Sequence, residues 1–376
     1  MEKQKLVATT FAGLEDVLAA ELLELGADDV QTGNRAVYFS GDRRMMYRAN
    51  YFLRTALRVL CPIETFKIRS ADDLYNKAKG IAWENYMAPN QTFAIHHTIF
   101  SELFKNSMFA SLKMKDAIVD RFRFKFQKRP SVDPRLPDVQ FNLHIANDVC
   151  TLSLDSSGES LHKRGYRMAQ TDAPINEVLA AGLLKMSGWD GRQNFLDPMC
   201  GSGTIVLEAA LIATNTPPGT IRKNFAFQKW KSFRNDDFQQ IVEEAPIGKP
   251  EGKIIAADVD RKAIDITLRN AEAAGMRKFI QTKISNFKYF DAELENPFLL
   301  FNPPYGERLE AGDAEFYSMI GERLKHHYEN TTAWIISTPE CLKSIGLKPS
   351  KKINLLNGSI NCTFRKYELY KGSKKG

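Results

Sequence analysis

In the second half of the sequence, short apolar segments alternate with stretches of helical periodicity. This alternation is typical of strand–helix units, which build a mostly parallel sheet. Strands are predicted at 193–196, 253–257, 297–301 and 333–337, with helices at 204–213, between Asp260 and Gly275, and around Phe316, Ile320 and Leu324. Near the end, Asn357-Gly358 between two extended runs predicts an antiparallel hairpin. The expected fold class of this half is therefore α/β.

The first half follows a different pattern, with shorter alternating segments and more turns. The segment LVATTFAGLEDVLAAELLELGADDVQTGNRAVYFSG predicts strand, helix, strand, turn and strand, a ferredoxin-like α+β arrangement. A second α+β unit follows it. We therefore expect a ferredoxin-like domain at 1–60, a second domain at 61–165 and the α/β domain at 166–376, with an insertion at 214–252.

Composition limits the functional classes. The chain of 376 residues has no apolar run of the roughly 18 to 20 residues that span a bilayer, and its start lacks an export signal, so a cytoplasmic protein is expected. Its five cysteines are far apart and form no CxxC pair, which disfavours a disulfide framework and a zinc site, and no metal is expected. The net charge of +7 is compatible with a polyanionic partner.

The segment FLDPMCGSGTIVLEAA places a glycine-rich turn between a strand and a helix. Asp197 ends the strand, and Gly201 and Gly203 let the backbone approach a bound nucleotide. A dinucleotide is disfavoured because Val206 stands where the third glycine of GxGxxG belongs, and the usual ribose acid is missing. A cofactor without pyrophosphate needs carboxylates instead, Asp197 for an ammonium group and Asp258 for ribose hydroxyls. These acids favour S-adenosylmethionine, although carboxylates at strand ends also cap helices.

The motif FNPPYGERL follows a predicted apolar strand. The exocyclic amine of guanine or adenine is a poor nucleophile because its lone pair is delocalised into the ring. The side-chain oxygen of Asn302 and the carbonyl of Pro303 can each accept one N–H and free that pair for attack on a sulfonium methyl. Pro303 and Pro304 stiffen the backbone that aims the carbonyl, and Tyr305 offers a flat face for an unstacked base. The motif therefore predicts amine methylation.

Basic residues with interleaved phenylalanines form a stretch in the second predicted domain. Basic side chains neutralise phosphates and aromatic rings stack on bases, but an amphipathic helix with solvated lysines explains the same pattern. The RNA-binding candidates here are Lys113, Lys115, Arg121, Arg123, Lys125, Lys128 and Arg129. At the junction of the two halves, Lys163, Arg164 and Arg167 either contact RNA phosphates or form a solvated linker.

DPMCGSGT, AADVD and FNPPYGERL, in that order, resemble motifs of class I methyltransferases that act on exocyclic amines. With FAFQKW, HKRGYR, APINEVLAAGLL and the α+β first half, nearly the whole chain resembles the THUMP-domain RNA guanine-N2 methyltransferases of bacteria. The resemblance implies a Rossmann-like domain with a mostly parallel seven-stranded sheet and an antiparallel hairpin, a THUMP RNA-binding domain at 61–165, and S-adenosylmethionine as cofactor. Bacterial members methylate guanine N2 in large-subunit rRNA, so 23S rRNA or its precursor is the expected partner.

The resemblance also assigns residues by position. The cofactor-binding candidates are Asp197, Pro198, Gly201, Gly203, Thr204, Asp258 and Asn286, and the catalytic candidates are Asn302, Pro303, Pro304 and Tyr305. Asn286, in KISNFKYF, departs from the family, which often has Asp near the adenine. Its amide oxygen can still accept a hydrogen bond from the adenine amino group.

Three other functions stay open. A tRNA guanine-N2 methyltransferase is the nearest, because archaeal relatives act on tRNA. DNA adenine-N6 methylation uses the same amine chemistry, but the sequence has no DNA-recognition pattern such as a helix-turn-helix or zinc finger. The third is a non-catalytic RNA-binding assembly factor, against which the intact NPPY motif and both acids argue.

Overall fold

The computed structural model describes residues 3–171, 174–245, 247–291, 294–305 and 313–371. These residues form two seven-stranded sheets, one in each half of the chain. None of the helices in these ranges is long and apolar enough to cross a membrane. Nor do these ranges contain a group of three or more His, Cys, Asp or Glu side chains arranged to hold a metal ion.

The N-terminal sheet combines both predicted α+β units. Its strands are β1 (Gln4–Thr9), β2 (Asp28–Gly33), β3 (Ala36–Gly41), β4 (Arg58–Lys67), β5 (Phe93–Phe100), β6 (Val139–Ala146) and β7 (Val149–Asp155), in the order β2-β3-β1-β4-β7-β6-β5. Helices α1 (Glu15–Glu24), α2 (Arg43–Phe52), α3 (Ala71–Gly80) and α4 (Ser107–Phe126) contribute to one continuous apolar core with it. Strand β4 pairs with β1 and with β7, so the boundary expected between residues 60 and 61 falls inside a shared strand.

The C-terminal sheet confirms the expected mostly parallel arrangement with an antiparallel hairpin. Its strands are β8 (Phe195–Asp197), β9 (Ile254–Asp258), β10 (Ile280–Ile284), β11 (Phe298–Phe301), β12 (Thr332–Ser337), β13 (Lys351–Asn357) and β14 (Ile360–Glu368), in the order β10-β9-β8-β11-β12-β14-β13. Its helices are α5 (Glu177–Ser187), α6 (Thr204–Ala213), α7 (Asn235–Glu243), α8 (Arg261–Ala273) and α9 (Asp313–His327). The strand order reverses between β8 and β11, and open α/β sheets bind ligands at such a switch point.

Helix α8 illustrates how the sequence sets element boundaries. The Asp260 side chain accepts a hydrogen bond from the N–H of Lys262 at 2.8 Å, which is the predicted N-cap. Gly275, with a φ of +69°, follows its last turn. Strand β10, in contrast, was not predicted, because only Ile280 of its five residues is buried and it lacks an apolar pattern.

The insertion at 214–252 packs against the N-terminal domain and does not extend the C-terminal sheet. Its helix α7 lies against α2, where Arg44 donates to the side chain of Gln240 at 2.7 Å. In the core beneath, the rings of Tyr47 and Phe227 stack with centroids 4.5 Å apart. The insertion therefore connects the two halves of the molecule through both polar and apolar contacts.

Candidate active site

The glycine-rich loop follows β8 and leads into α6. Gly201 and Gly203 have φ values of +54° and +80°, which residues with a Cβ rarely adopt. A Cβ on Gly203 would lie 2.7 Å from Cγ2 of Thr267 in α8, so the close contact requires glycine. Oγ1 of Thr267 also donates to the carbonyl of Gly201 at 2.9 Å. These contacts hold the loop against α8 in one conformation.

Asp197 ends β8 beneath this loop and is 1% exposed. Its Oδ1 accepts a hydrogen bond from the N–H of Met199 at 3.1 Å, across the buried Pro198. Burial, and to a smaller extent the neighbouring Asp258 carboxylate, raise the pKa of Asp197 above its usual range. A buried carboxyl of this kind suits a cationic ligand group, because a cation stabilises the ionised form that burial disfavours.

Asp258 lies at the end of β9, next to the glycine loop. Its Oδ2 accepts from the N–H of Gly201 and its Oδ1 from the N–H of Asp260, each at 2.9 Å. A carboxylate oxygen can accept more than one hydrogen bond, so both retain capacity for ribose hydroxyls. Asn286 follows the neighbouring strand β10 and is exposed, with its Oδ1 accepting from the N–H of Lys288 at 2.9 Å. The adenine contact assigned to Asn286 stays a prediction.

Asn302 is the first residue after β11. Strand β11 pairs in parallel with β8, with Leu299 opposite Leu196, which brings Asn302 to the sheet edge where Asp197 lies. The Oδ1 atom of Asn302 is buried and has no hydrogen-bond partner within the described parts of the chain. Buried amide oxygens are normally paired, so this acceptor is available to a ligand.

A hydrogen-bonded tyrosine holds the proline pair. The hydroxyl of Tyr317, in α9, donates to the carbonyl of Pro304 at 3.1 Å and lies 2.6 Å from Oγ of Ser337. No hydrogen bond between described residues uses the carbonyl of Pro303, the second acceptor that the sequence predicts. The end of the motif, residues 306–309, lies outside the described residues.

The expectation for Tyr305 needs correction. Its side chain is only 4% exposed and packs in the apolar core of the C-terminal sheet. Its hydroxyl accepts a hydrogen bond from Nδ2 of Asn357 at 2.6 Å and contacts Sγ of Cys362. An enclosed ring has no free face for a base. In this structure Tyr305 therefore anchors the corner to the β13–β14 hairpin and does not form an exposed stacking platform.

Two of the three junction residues assigned to RNA point inward. Arg164 is 1% exposed, its Nε lies 3.3 Å from Oε1 of Glu208, and it also donates to the carbonyl of Arg54. Arg167 faces the space between α5 and α6 rather than solvent. Both assignments to an RNA surface are therefore corrected, because these guanidinium groups form internal contacts. Lys163 is exposed and pairs with Glu159 at 2.9 Å, so it stays a candidate.

The basic stretch forms α4 and the residues after it. Several of its cations have acidic partners: Lys113 with Asp72, Lys115 with Asp116, Arg123 with Asp120, and Arg121 and Lys125 with Glu84. Such pairs reduce the positive charge offered to a phosphate. Lys128 and Arg129, beyond the helix end, are exposed and have no ion-pair partner among the residues that the structure describes. They are the strongest phosphate-binding candidates of the stretch.

Sequence reasoning missed Asn270, a residue of α8 that is 1% exposed. Its Oδ1 accepts from the N–H groups of Met168 and Ala169 at 2.8 and 3.3 Å. Its Nδ2 donates to the carbonyls of Ala169 and Ser202, each at 3.0 Å. Asn270 thus ties the segment before α5 to the glycine loop. The available signal was a pair of polar residues, Thr267 and Asn270, three positions apart on the buried face of an amphipathic helix.

Three family models match successive parts of the chain. Residues 164–366 match an RMKL-like methyltransferase domain, residues 5–60 an RlmL ferredoxin-like domain, and residues 69–155 a THUMP domain. Together they span both sheets.

Similar proteins cover almost the full chain. A provisionally named RNA methyltransferase of Synechocystis sp. is 40% identical over an alignment of 369 residues that covers 96% of each chain. The crystal structure of SMU.472, provisionally a methyltransferase and solved with SAH, has a TM-score of 0.87 and 28% identity, and covers 99% of this chain and 100% of that one. A predicted N6-adenine-specific DNA methylase from Listeria monocytogenes has a TM-score of 0.86 and 31% identity over 98% and 97% of the two chains.

Proposed function

Because this chain belongs to the RMKL-like methyltransferase family, we propose that it methylates the exocyclic N2 amine of a guanosine in 23S rRNA. It is an S-adenosylmethionine-dependent methyltransferase with an RNA substrate, as its family, its THUMP domain and its relatives indicate. The proposal concerns the finer points, namely the nucleobase, the reacting nitrogen and the RNA.

The observation that carries the proposal is the unpaired Oδ1 of Asn302. A buried acceptor at the end of β11, on the same sheet edge as Asp197, suits a substrate group that donates an N–H. A base amine offers two N–H groups, and Asn302 accepts one of them. The carbonyl of Pro303, also without a partner among the described residues, is the second acceptor.

Bound S-adenosylmethionine supplies an electrophilic methyl group on a sulfonium sulfur. Asn302 and Pro303 draw the amine nitrogen toward a tetrahedral geometry, which localises its lone pair for attack. As the new N–C bond forms, the C–S bond of the cofactor would break and leave its electron pair on sulfur. The methylated nitrogen then loses a proton to water. No strong base is required, because the methylated aminium is far more acidic than the starting amine.

Rigidity of the corner supports this mechanism. Proline fixes φ, so the backbone of residues 302–304 loses little entropy when it binds the amine. The Tyr317 hydroxyl donates to the carbonyl of Pro304, and the hydroxyl of Tyr305, the next residue, is bound by Asn357 of the hairpin. The acceptors are thus oriented before the substrate arrives.

Two features support large-subunit rRNA as the substrate. Residues 5–60 match the RlmL ferredoxin-like domain, and the bacterial proteins that the chain resembles act on that RNA. A tRNA substrate is the nearest alternative. DNA adenine is a further alternative, since one similar structure is named as a DNA methylase, but a THUMP domain favours RNA.

Substitution of Asn302 tests the mechanism. We expect Asn302→Ala to lower the single-turnover rate on unmodified rRNA by about 10²-fold or more, because one oriented acceptor is lost. Asn302→Asp keeps an acceptor oxygen and should retain more activity than the alanine variant. Both variants should bind S-adenosylhomocysteine normally in calorimetry. A wild-type rate for Asn302→Ala would contradict the proposal.

Nucleoside mass spectrometry of a deletion strain tests the substrate. We expect N2-methylguanosine to fall in 23S rRNA and to return when the wild-type gene, but not Asn302→Ala, is restored. Loss of N2-methylguanosine from tRNA would support the tRNA alternative, and loss of N6-methyladenine from DNA would support the DNA alternative. Unchanged modification of all three, together with no binding of S-adenosylhomocysteine, would indicate an assembly factor without catalysis.

A further inference from the structure

Arg167 lies between the starts of α5 and α6, and its guanidinium is only partly paired. Its Nε lies 2.8 Å from Oε1 of Glu177, and its Nη2 donates to the carbonyl of Ile175 at 3.0 Å and to Oγ1 of Thr204 at 3.1 Å. Its Nη1 is buried and has no hydrogen-bond partner in the described part of the chain. Buried polar groups are normally paired, so Nη1 marks a place for an acceptor that comes from elsewhere.

The contacts of Arg167 place it beside the cofactor loop. Thr204, which Arg167 contacts, is the first residue of α6 and directly follows the glycine loop. A few residues further along the segment, Oγ1 of Thr171 lies 3.5 Å from the position of a Cβ on Gly201. Asn270 fixes the backbone between these two points by its hydrogen bonds to both the segment and the loop.

The amino-acid end of S-adenosylmethionine carries an ammonium and a carboxylate, which need opposite partners. Asp197 is the anion placed to receive the ammonium, and it repels the carboxylate. The carboxylate therefore needs N–H donors away from Asp197. The first turn of α6 offers backbone N–H groups, which no side chain of the described residues caps, and the positive end of the helix dipole.

We propose that Nη1 of Arg167 binds the α-carboxylate of S-adenosylmethionine. Glu177, Ile175 and Thr204 hold the rest of the guanidinium, so Nη1 is oriented in advance for a charge-assisted hydrogen bond. This role replaces the phosphate contact that the sequence suggested. It does not depend on which nucleobase or RNA is methylated.

Calorimetry with S-adenosylmethionine and its decarboxylated analogue tests the proposal, since the two ligands differ only in the carboxylate. We expect wild type to bind S-adenosylmethionine more tightly than the analogue by about tenfold or more, because one charge-assisted hydrogen bond contributes a preference of that size. In Arg167→Gln this preference should fall to about threefold or less, with little change in affinity for the analogue. Arg192→Gln, at an exposed arginine of the same domain, should leave both affinities unchanged.

Three results would overturn the proposal. An equal loss of affinity for both ligands in Arg167→Gln would show that Arg167 only supports the loop. Wild type without a preference for the carboxylate would exclude the contact, and this result stands even if the variant does not fold. Weaker RNA binding by Arg167→Gln with unchanged cofactor affinity would restore the phosphate role.

Discussion

Replacement of Gly203 by alanine is a sharp test of how the cofactor loop is built. The φ of Gly203 is +80°, and an added Cβ would lie 2.7 Å from Cγ2, 2.8 Å from Oγ1 and 3.1 Å from Cβ of Thr267. Thr267 is fully buried in α8, so it cannot move aside into solvent. The variant must therefore adopt a strained backbone or displace the loop from the helix.

Two contributions lower the free energy of unfolding of Gly203→Ala. A left-handed conformation costs an L-residue about 1–2 kcal/mol. Overpacking against a buried neighbour adds about 1–3 kcal/mol. We therefore expect Gly203→Ala to lower the free energy of unfolding by about 2–5 kcal/mol, a large fraction of the stability of an ordinary domain.

Gly275→Ala is the matched control. Gly275 has a φ of +69°, but among the described residues no atom beyond its chain neighbours lies within 4 Å of its added Cβ. This variant should therefore lower the free energy of unfolding only by the backbone contribution of about 1–2 kcal/mol. Thr267→Ala removes the two nearest atoms of the clash. The double variant Gly203→Ala/Thr267→Ala should therefore be more stable than the sum of the single effects by about 1–2 kcal/mol.

Chemical denaturation gives the free energies, and calorimetry gives the affinity for S-adenosylhomocysteine. The affinity of Gly203→Ala for S-adenosylhomocysteine should fall about tenfold or more, because relief of the strain displaces the loop from its binding conformation. Gly275→Ala should bind normally. If Gly203→Ala were no less stable than Gly275→Ala, or if the double variant showed no coupling, the close packing of the loop on α8 would be refuted.

Three further predictions concern charge. Burial raises the pKa of Asp197, so ionisation of this side chain lowers the stability of the folded chain as the pH rises, whereas cofactor binding favours the ionised form. Calorimetry should therefore show that wild type binds S-adenosylhomocysteine more tightly as the pH rises. The same pH dependence of binding in Asp197→Asn would contradict this. Lys128→Gln/Arg129→Gln should lower the slope of log K for RNA against log salt by about 1.4–1.8 if both contact phosphates. Arg121→Gln removes a partner that holds the pKa of Glu84 at about 2, so it should lower the free energy of unfolding above pH 4.5. It should leave the salt dependence of RNA binding unchanged, since Arg121 is already paired with Glu84.

Much of the C-terminal half could be predicted because its signals are local. Helix α6 begins at Thr204 as predicted, since a glycine with positive φ ends the loop before it. The hairpin expected at Asn357 and Gly358 forms, with Asn357 paired to Ile360 across a turn of Gly358 and Ser359, since only a few residues specify a tight turn. The carboxyl ends of parallel strands meet at one edge, so the positions of Asp197, Asp258 and Asn302 also followed from the strand pattern.

Other features depend on residues far apart in the chain. From the sequence Arg164 is expected to be a solvated cation, but the fold places it against Glu208, 44 positions away. From the sequence Tyr305 is expected to be a stacking platform, but in the fold Asn357, 52 positions away, binds its hydroxyl. Local patterns do not determine such burial, because the partner is set by how the elements pack.

The sequence alone determined most strands and helices of the C-terminal half, though not β10, together with the glycines that the loop requires and the Asn-Pro-Pro corner, because each depends on backbone geometry within a few residues. Tertiary structure decided which polar groups are paired and which stay unpaired. The free Oδ1 of Asn302 and the free Nη1 of Arg167 exist only in the folded chain, within the parts described here. Packing leaves both atoms buried and without a hydrogen-bond partner among the described residues, and for that reason they are candidates to bind the substrate and the cofactor.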